Sequence, residues 1–138
     1  GDGAGAERGL AAAAFVVEDP ASGARAAYAT DLGEPPVALV DALRGVHALV
    51  LESNHDEVML QTGPYPYHLK RRVAGNQGHL SNRAAGELVA ESMHRGLQQV
   101  VLAHLSETNN TPAMALEAMR GVARRVRYKG VLSAAPQH

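Results

Sequence analysis

Apolar and polar positions along this chain switch between a two-residue and a roughly 3.6-residue rhythm, and each switch marks an element. AAAAFVVE at 11–18 is a short apolar run, Asp19-Pro20-Ala21-Ser22-Gly23 supplies turn chemistry, and Ala24 to Thr30 reads as a second strand, so a β-hairpin is predicted. Asp31-Leu32-Gly33 follows at once. Glu34-Pro35-Pro36 then breaks the chain, and Val37 to Arg44 has helical spacing ending at Gly45. His47 to Leu51 reads as a buried strand, and Glu57 to Gln61 as a short helix stopped by Gly63-Pro64. Tyr65 to Val73 mixes aromatic and basic residues, and 75–78 is a loop. Ser81 or Asn82 can cap a helix running to about Met93, and Val100 to Ala103 is the next strand. Thr111-Pro112 offers an N-cap followed by proline at the first helical position, which predicts a helix over Ala113 to Arg124. Val126 to Leu132 is expected to be a final strand.

Strands alternating with helices imply an α/β chain with a mixed sheet. At 138 residues it has the size of one domain or a piece of a larger one, and no internal repeat interrupts it. Residues 1–10 lack periodicity and are expected to be a frayed lead, tag remnant or cut edge, with the domain running over 11–138. Cysteine is absent, which removes disulfides, thiolate zinc sites and cysteine nucleophiles, and suits a cytoplasmic protein. The balance of 13 Lys and Arg against 14 Asp and Glu provides no global basic field, so any polyanion contact must be local. Apolar runs such as Leu10 to Val17 fall well short of the roughly 20 residues that a membrane-spanning helix requires, and no membrane partner is expected.

Three predicted strands end in polar groups: Asp31, then Glu52 to Asp56, then His104. Open α/β sheets gather strand-end residues into one crevice, so their separation in sequence does not keep them apart. Carboxylate and imidazole donors suit zinc or manganese, and the lack of thiolates favours an open catalytic site over a closed structural one. Each residue also has an ordinary structural reading. Asp31 can cap a turn, His104 can be a hydrogen-bonded strand-end histidine, and His79 can orient a helix start. Glu52 can be a solvated carboxylate, and Asn54, Asn109 and Asn110 can be turn formers.

The words TDLG, LESNHDEVML, GPYPYHLKRR, GHLSN and LAHLSETNNTP, in that order from about Phe15 to Ala118, resemble the bacterial YycJ-like (WalJ-like) metallo-β-lactamase-fold hydrolases, relatives of the ribonuclease Z and PhnP phosphodiesterases. The resemblance implies the C-terminal half of an αββα sandwich. It implies that Asp31 bridges two divalent ions, zinc or manganese, and that His104 binds the second of them. It implies that His79 faces the scissile phosphate as general acid or phosphate donor, with Glu52 as its orienting carboxylate and His55 and Asp56 lining the same mouth.

The sequence departs from the family upstream. The HxHxDH motif and the next metal-binding histidine have no counterpart here, so partial metal binding or none, and no activity, are expected of this chain by itself. The implied substrate of the complete enzyme is DNA or RNA. Lys70, Arg71 and Arg72 beside Tyr65 and Tyr67 form a candidate nucleic-acid contact, or else an ordinary solvated helix face. The missing half would leave a sheet face uncovered, and a homodimer that buries it is the expected assembly.

Overall fold

A computed structural model describes residues 6–11, 14–30, 35, 37–75 and 78–137. Six strands form one mixed sheet in the order β1-β2-β3-β4-β5-β6. β1 (Ala6–Ala11), β2 (Ala14–Glu18) and β3 (Arg25–Ala29) form an antiparallel meander. β4 (Ala48–Glu52), β5 (Gln99–Ala103) and β6 (Val131–Ala134) continue it in parallel. The predicted hairpin is β2–β3, closed by a turn in which Asp19 Oδ1 accepts from the Ala21 N–H at 3.0 Å and the Asp19 N–H donates to Ala24 O at 2.8 Å.

Among the described residues five helices fill the connections: α1 (Val37–Leu43), α2 (Glu57–Thr62), α3 (Tyr67–Ala74), α4 (Asn82–Ser92) and α5 (Pro112–Val126). The caps anticipated from sequence are present. Ser81 accepts from the Ala84 N–H at 3.0 Å and Thr111 from the Met114 N–H at 3.0 Å, each satisfying one orphan donor of a first helical turn.

Over most of their length β3, β4 and β5 alternate between two environments. Ala27, Ala29, Leu49, Leu51, Val100 and Leu102 are buried with Leu39 and Leu43 of α1, Leu88 and Val89 of α4 and Met119 of α5 in one core. The opposite pleat carries the cross-strand row Phe15, Tyr28, Val50 and Val101, only partly covered, with Tyr28 41% exposed. Phe15 and Tyr28 stack there, ring centroids 5.1 Å apart. Helices α4 and α5 approach closely at Gly86, where a Cβ would lie 2.7 Å from Val122 Cγ2.

Three expectations change. Ala6–Ala11, assigned from sequence largely to the lead, is an edge strand: its backbone pairs with β2, and that pairing needs no side-chain alternation. Tyr65 to Val73 resolves into α3 from Tyr67. The last strand lies further on than Val126 to Leu132, because α5 continues to Val126 and stops at Arg127 in the left-handed region (φ 60°). Asp31 lies outside the described residues. No helix among the described residues is long and apolar enough to cross a membrane.

Candidate active site

β3, β4 and β5 run parallel and in register, Ala29 opposite Leu51 and Glu52 opposite Ala103, so the polar residues that follow β4 and β5 emerge at the same end of the sheet. A cleft of about 600 Å³ opens there, with Glu52, Asn54, Tyr65, His79, His104 and Asn109 among its walls.

Glu52 is the innermost group, at 0% exposure. A buried carboxylate is costly unless its oxygens are bonded, and both of these are. Oε2 lies 2.9 Å from His79 Nδ1, and Oε1 accepts the Leu80 N–H at 3.2 Å. His104 Nδ1 stands 3.9 Å from the same Oε2. One carboxylate therefore faces two imidazoles brought in from distant segments. An Nδ1 proton held against Glu52 sets the tautomer and the orientation of the His79 ring. The His79 side chain is 40% exposed and the His104 side chain 50%, so both rings are within reach of a ligand in the cleft.

His104 follows β5 with φ at 55°, a left-handed conformation uncommon outside glycine, asparagine, aspartate and histidine. Its carbonyl accepts Asn54 Nδ2 at 2.9 Å, and the Ser106 N–H donates to Asn54 O at 2.8 Å. Asn54 thus pins the turn that presents the imidazole.

Beneath the cleft lies a buried polar network that links three segments. Ser53 Oγ donates to Asn82 Oδ1 at 2.6 Å, Asn82 Nδ2 donates to Asn110 Oδ1 at 2.9 Å, and Asn110 Nδ2 donates to Ser53 O at 2.9 Å. The sequence offers Asn82 as a helix cap, Ser53 within the polar strand end at 52–56 and Asn110 as a turn former or site residue, but not their bonding to one another. The available clue was two asparagines beside helix starts, which reads equally well as capping.

The remaining candidates divide. His55 is 2% exposed, contacts Asn54 Oδ1 through Nδ1 at 3.2 Å and pairs its backbone with Ser81. Burial is the largest influence on it and lowers its pKa below the ordinary histidine value. Asp56 caps α2, accepting the Met59 N–H at 2.9 Å. Neither residue is part of the cleft wall. Tyr65 is part of it, whereas α3 carries Lys70, Arg71 and Arg72 beyond it: Lys70 Nζ donates to Gln61 O at 2.6 Å and Arg71 lies over the Tyr67 ring, 5.8 Å from its centroid. A hollow of about 620 Å³ at the opposite end of the sheet has its polar groups engaged locally, Asp19 in its turn and His47 Nδ1 by the Arg25 N–H at 3.0 Å.

Among the described residues no group of three or more His, Asp and Glu is placed to hold a metal ion. The described donors do not make a metal centre by themselves.

The fold and site define an α/β chain with an acid–imidazole cleft at its strand ends. No family model matches it. The chain is similar to the exodeoxyribonucleases YycJ and WalJ, as the words of its sequence suggested. It is 37% identical over 89 residues to exodeoxyribonuclease YycJ of Bacillus anthracis, a match covering 64% of this chain and 34% of that protein. It is 30% identical over 86 residues to exodeoxyribonuclease WalJ of Streptococcus pneumoniae, covering 62% of this chain and 32% of the relative. The chain spans about a third of the length of these curated relatives.

Proposed function

We propose that this chain supplies the C-terminal half of a metallo-β-lactamase-fold αββα sandwich, and with it part of the active site of a metal-dependent phosphodiesterase that cleaves DNA. The observation that carries the reading is the Glu52–His79 pair: a fully buried carboxylate holding a half-exposed imidazole at the mouth of a strand-end cleft. His79 acts as general acid toward the leaving oxygen of a phosphodiester, and Glu52 orients its ring. The similarity to proteins named exodeoxyribonucleases favours DNA over RNA as the substrate.

Asp31 and His104 are proposed as ligands that join donors from outside this chain to hold two zinc or manganese ions, which in such sites activate water and neutralise developing charge. Alone, the chain is expected to hydrolyse bis-p-nitrophenyl phosphate or single-stranded DNA negligibly with either metal. In the complete protein, His79→Ala should keep bound metal and lose turnover by roughly a hundred- to ten-thousand-fold, and Glu52→Gln should show a milder loss of the same kind. Asp31→Ala and His104→Ala should lose metal together with activity. Metal analysis beside steady-state kinetics on the four variants tests the assignment, and a metal-free His79→Ala protein would refute it.

A second reading is favoured by the Phe15, Tyr28, Val50 and Val101 row. A contiguous apolar sheet face is an association surface, and two copies of the chain can bury it in a two-fold homodimer without any catalytic role.

A further inference from the structure

Charge is distributed unevenly along this chain. Residues 118–138 hold five of the 13 Lys and Arg and none of the Asp and Glu, leaving eight cations against 14 acids in the rest. The fold gathers four of these cations at one place. Arg120 and Arg124 lie one turn apart on α5, Arg127 caps the helix, and Lys129 follows in the link to β6. Together they wall a hollow of about 450 Å³ between α5 and β6, floored by Tyr128, Gly130 and Leu132.

All four cations are exposed. Among the described residues the acid paired with the group is Glu117, 3.8 Å from Arg124 Nη2 and itself 68% exposed. Compensation of the α5 dipole accounts for cations in the last helical turn and for no more. It does not explain Lys129, nor why the left-handed position that closes the helix, where glycine is ordinarily favoured, is held by Arg127 at φ 60°.

The location matters too. The cleft lies beyond the C-terminal ends of β4 and β5, and Gly130 packs beside Gln98 at the start of β5, so the hollow is at the other end of the sheet. α5 joins the two ends. It begins just after Asn109 in the cleft wall and, at 15 residues, reaches about 22 Å.

We propose that this hollow is a second, non-catalytic site that binds the phosphodiester backbone of single-stranded nucleic acid, tethering a strand about 20 Å from the cleft. Forked guanidiniums around a concave floor suit a chain of phosphates. An anionic membrane surface fits less well, because the basic residues line a concave hollow rather than a flat face, and Val131 is the exposed large apolar side chain beside them that would add to their attraction for anionic lipid. The proposal rests on the nucleic-acid reading above only for its choice of polyanion, and it needs no cleavage.

The test is fluorescence anisotropy of a fluorescein-labelled oligothymidylate with the whole chain, in EDTA so that catalysis plays no part, across a salt series. An Arg120→Gln/Arg124→Gln/Lys129→Gln protein, checked for an unchanged circular dichroism spectrum, should bind at least tenfold more weakly. The slope of log affinity against log salt should become shallower by about 2, because each phosphate contact on a single strand contributes about 0.7. Arg120→Lys/Arg124→Lys should retain binding, and the single Arg120→Gln and Lys129→Gln proteins should each lose part of the slope should the triple variant misfold. Wild-type affinity in the triple variant overturns the proposal. So does a wild-type chain that ignores the oligonucleotide while binding phosphatidylserine vesicles. A chain that binds DNA through this hollow but fails the nuclease tests leaves the tether standing and removes only the catalytic reading.

Discussion

Asn82→Ala isolates the buried network beneath the cleft. The Asn82 carboxamide makes three side-chain hydrogen bonds: it accepts from Ser53 Oγ at 2.6 Å and from Asn110 Nδ2 at 2.9 Å, and donates to Asn110 Oδ1 at 2.9 Å. At a net contribution of about 1 kcal/mol each, their loss costs about 3 kcal/mol. Asn110 keeps partners in Ser53 O and the Thr111 N–H, which limits the penalty on that side, and alanine's better helix propensity at the first position of α4 returns about 0.5 kcal/mol. The expected destabilisation is about 2–3 kcal/mol. For 138 residues, an unfolding entropy of about 2 cal/mol/K per residue converts this to a fall in Tm of about 7–10 °C. Urea unfolding followed by circular dichroism gives the free energy directly. A cycle with Asn110→Ala should show coupling of at least about 1 kcal/mol, since the two amides bond each other twice. Additive single variants, or a loss below about 0.5 kcal/mol, would show that each amide is satisfied by water and that the network does not join the three segments.

Two further outcomes follow from burial and exposure. His55 titrates below the ordinary histidine value in the folded chain, chiefly through burial, so the unfolded chain binds more protons as pH falls below about 6.5. Stability contributed this way is fully present above that pH and declines beneath it; thermal melts from pH 5 to 8 should show the decline, and His55→Gln should flatten it. The uncovered row predicts association. Light scattering on the wild-type chain should report twice its 14.5 kDa mass, Tyr28→Lys should shift it to monomer, and a wild-type monomer at high concentration would show that the face tolerates water.

What the sequence discloses is whatever local chemistry determines. Turn residues at 19–23 gave away the β2–β3 hairpin, and Ser81 and Thr111 gave away the starts of α4 and α5, because caps and turns act within a few residues. β1 and α3 were hidden for opposite reasons: β1 is specified by a neighbouring backbone, and α3 is a polar helix without a buried residue to set a period. The strand-end rule with the family resemblance picks out Glu52, His79 and His104, and the fold brings all three to one cleft. The rule could not separate His55 from them, since a histidine turned into the core and one turned toward a cleft are the same letter. Asp56 was ambiguous in the same way, its carboxylate serving as a cap.

The order of the sheet also bears on how the cleft comes into being. The strands of the β1–β2–β3 meander are separated by few residues in sequence, while β4 meets β5 only after the chain has travelled through residues 53–98. Loop-closure entropy grows with that length, and it must be overcome before the parallel pairing returns any contact. Glu52 and His79 are joined across the first part of this excursion, while His104 lies beyond its far end, so no short segment can assemble the cleft in isolation. Bringing His104 to the Glu52–His79 pair therefore requires the β4–β5 pairing, and the complete cleft is expected only once the parallel half of the sheet has formed.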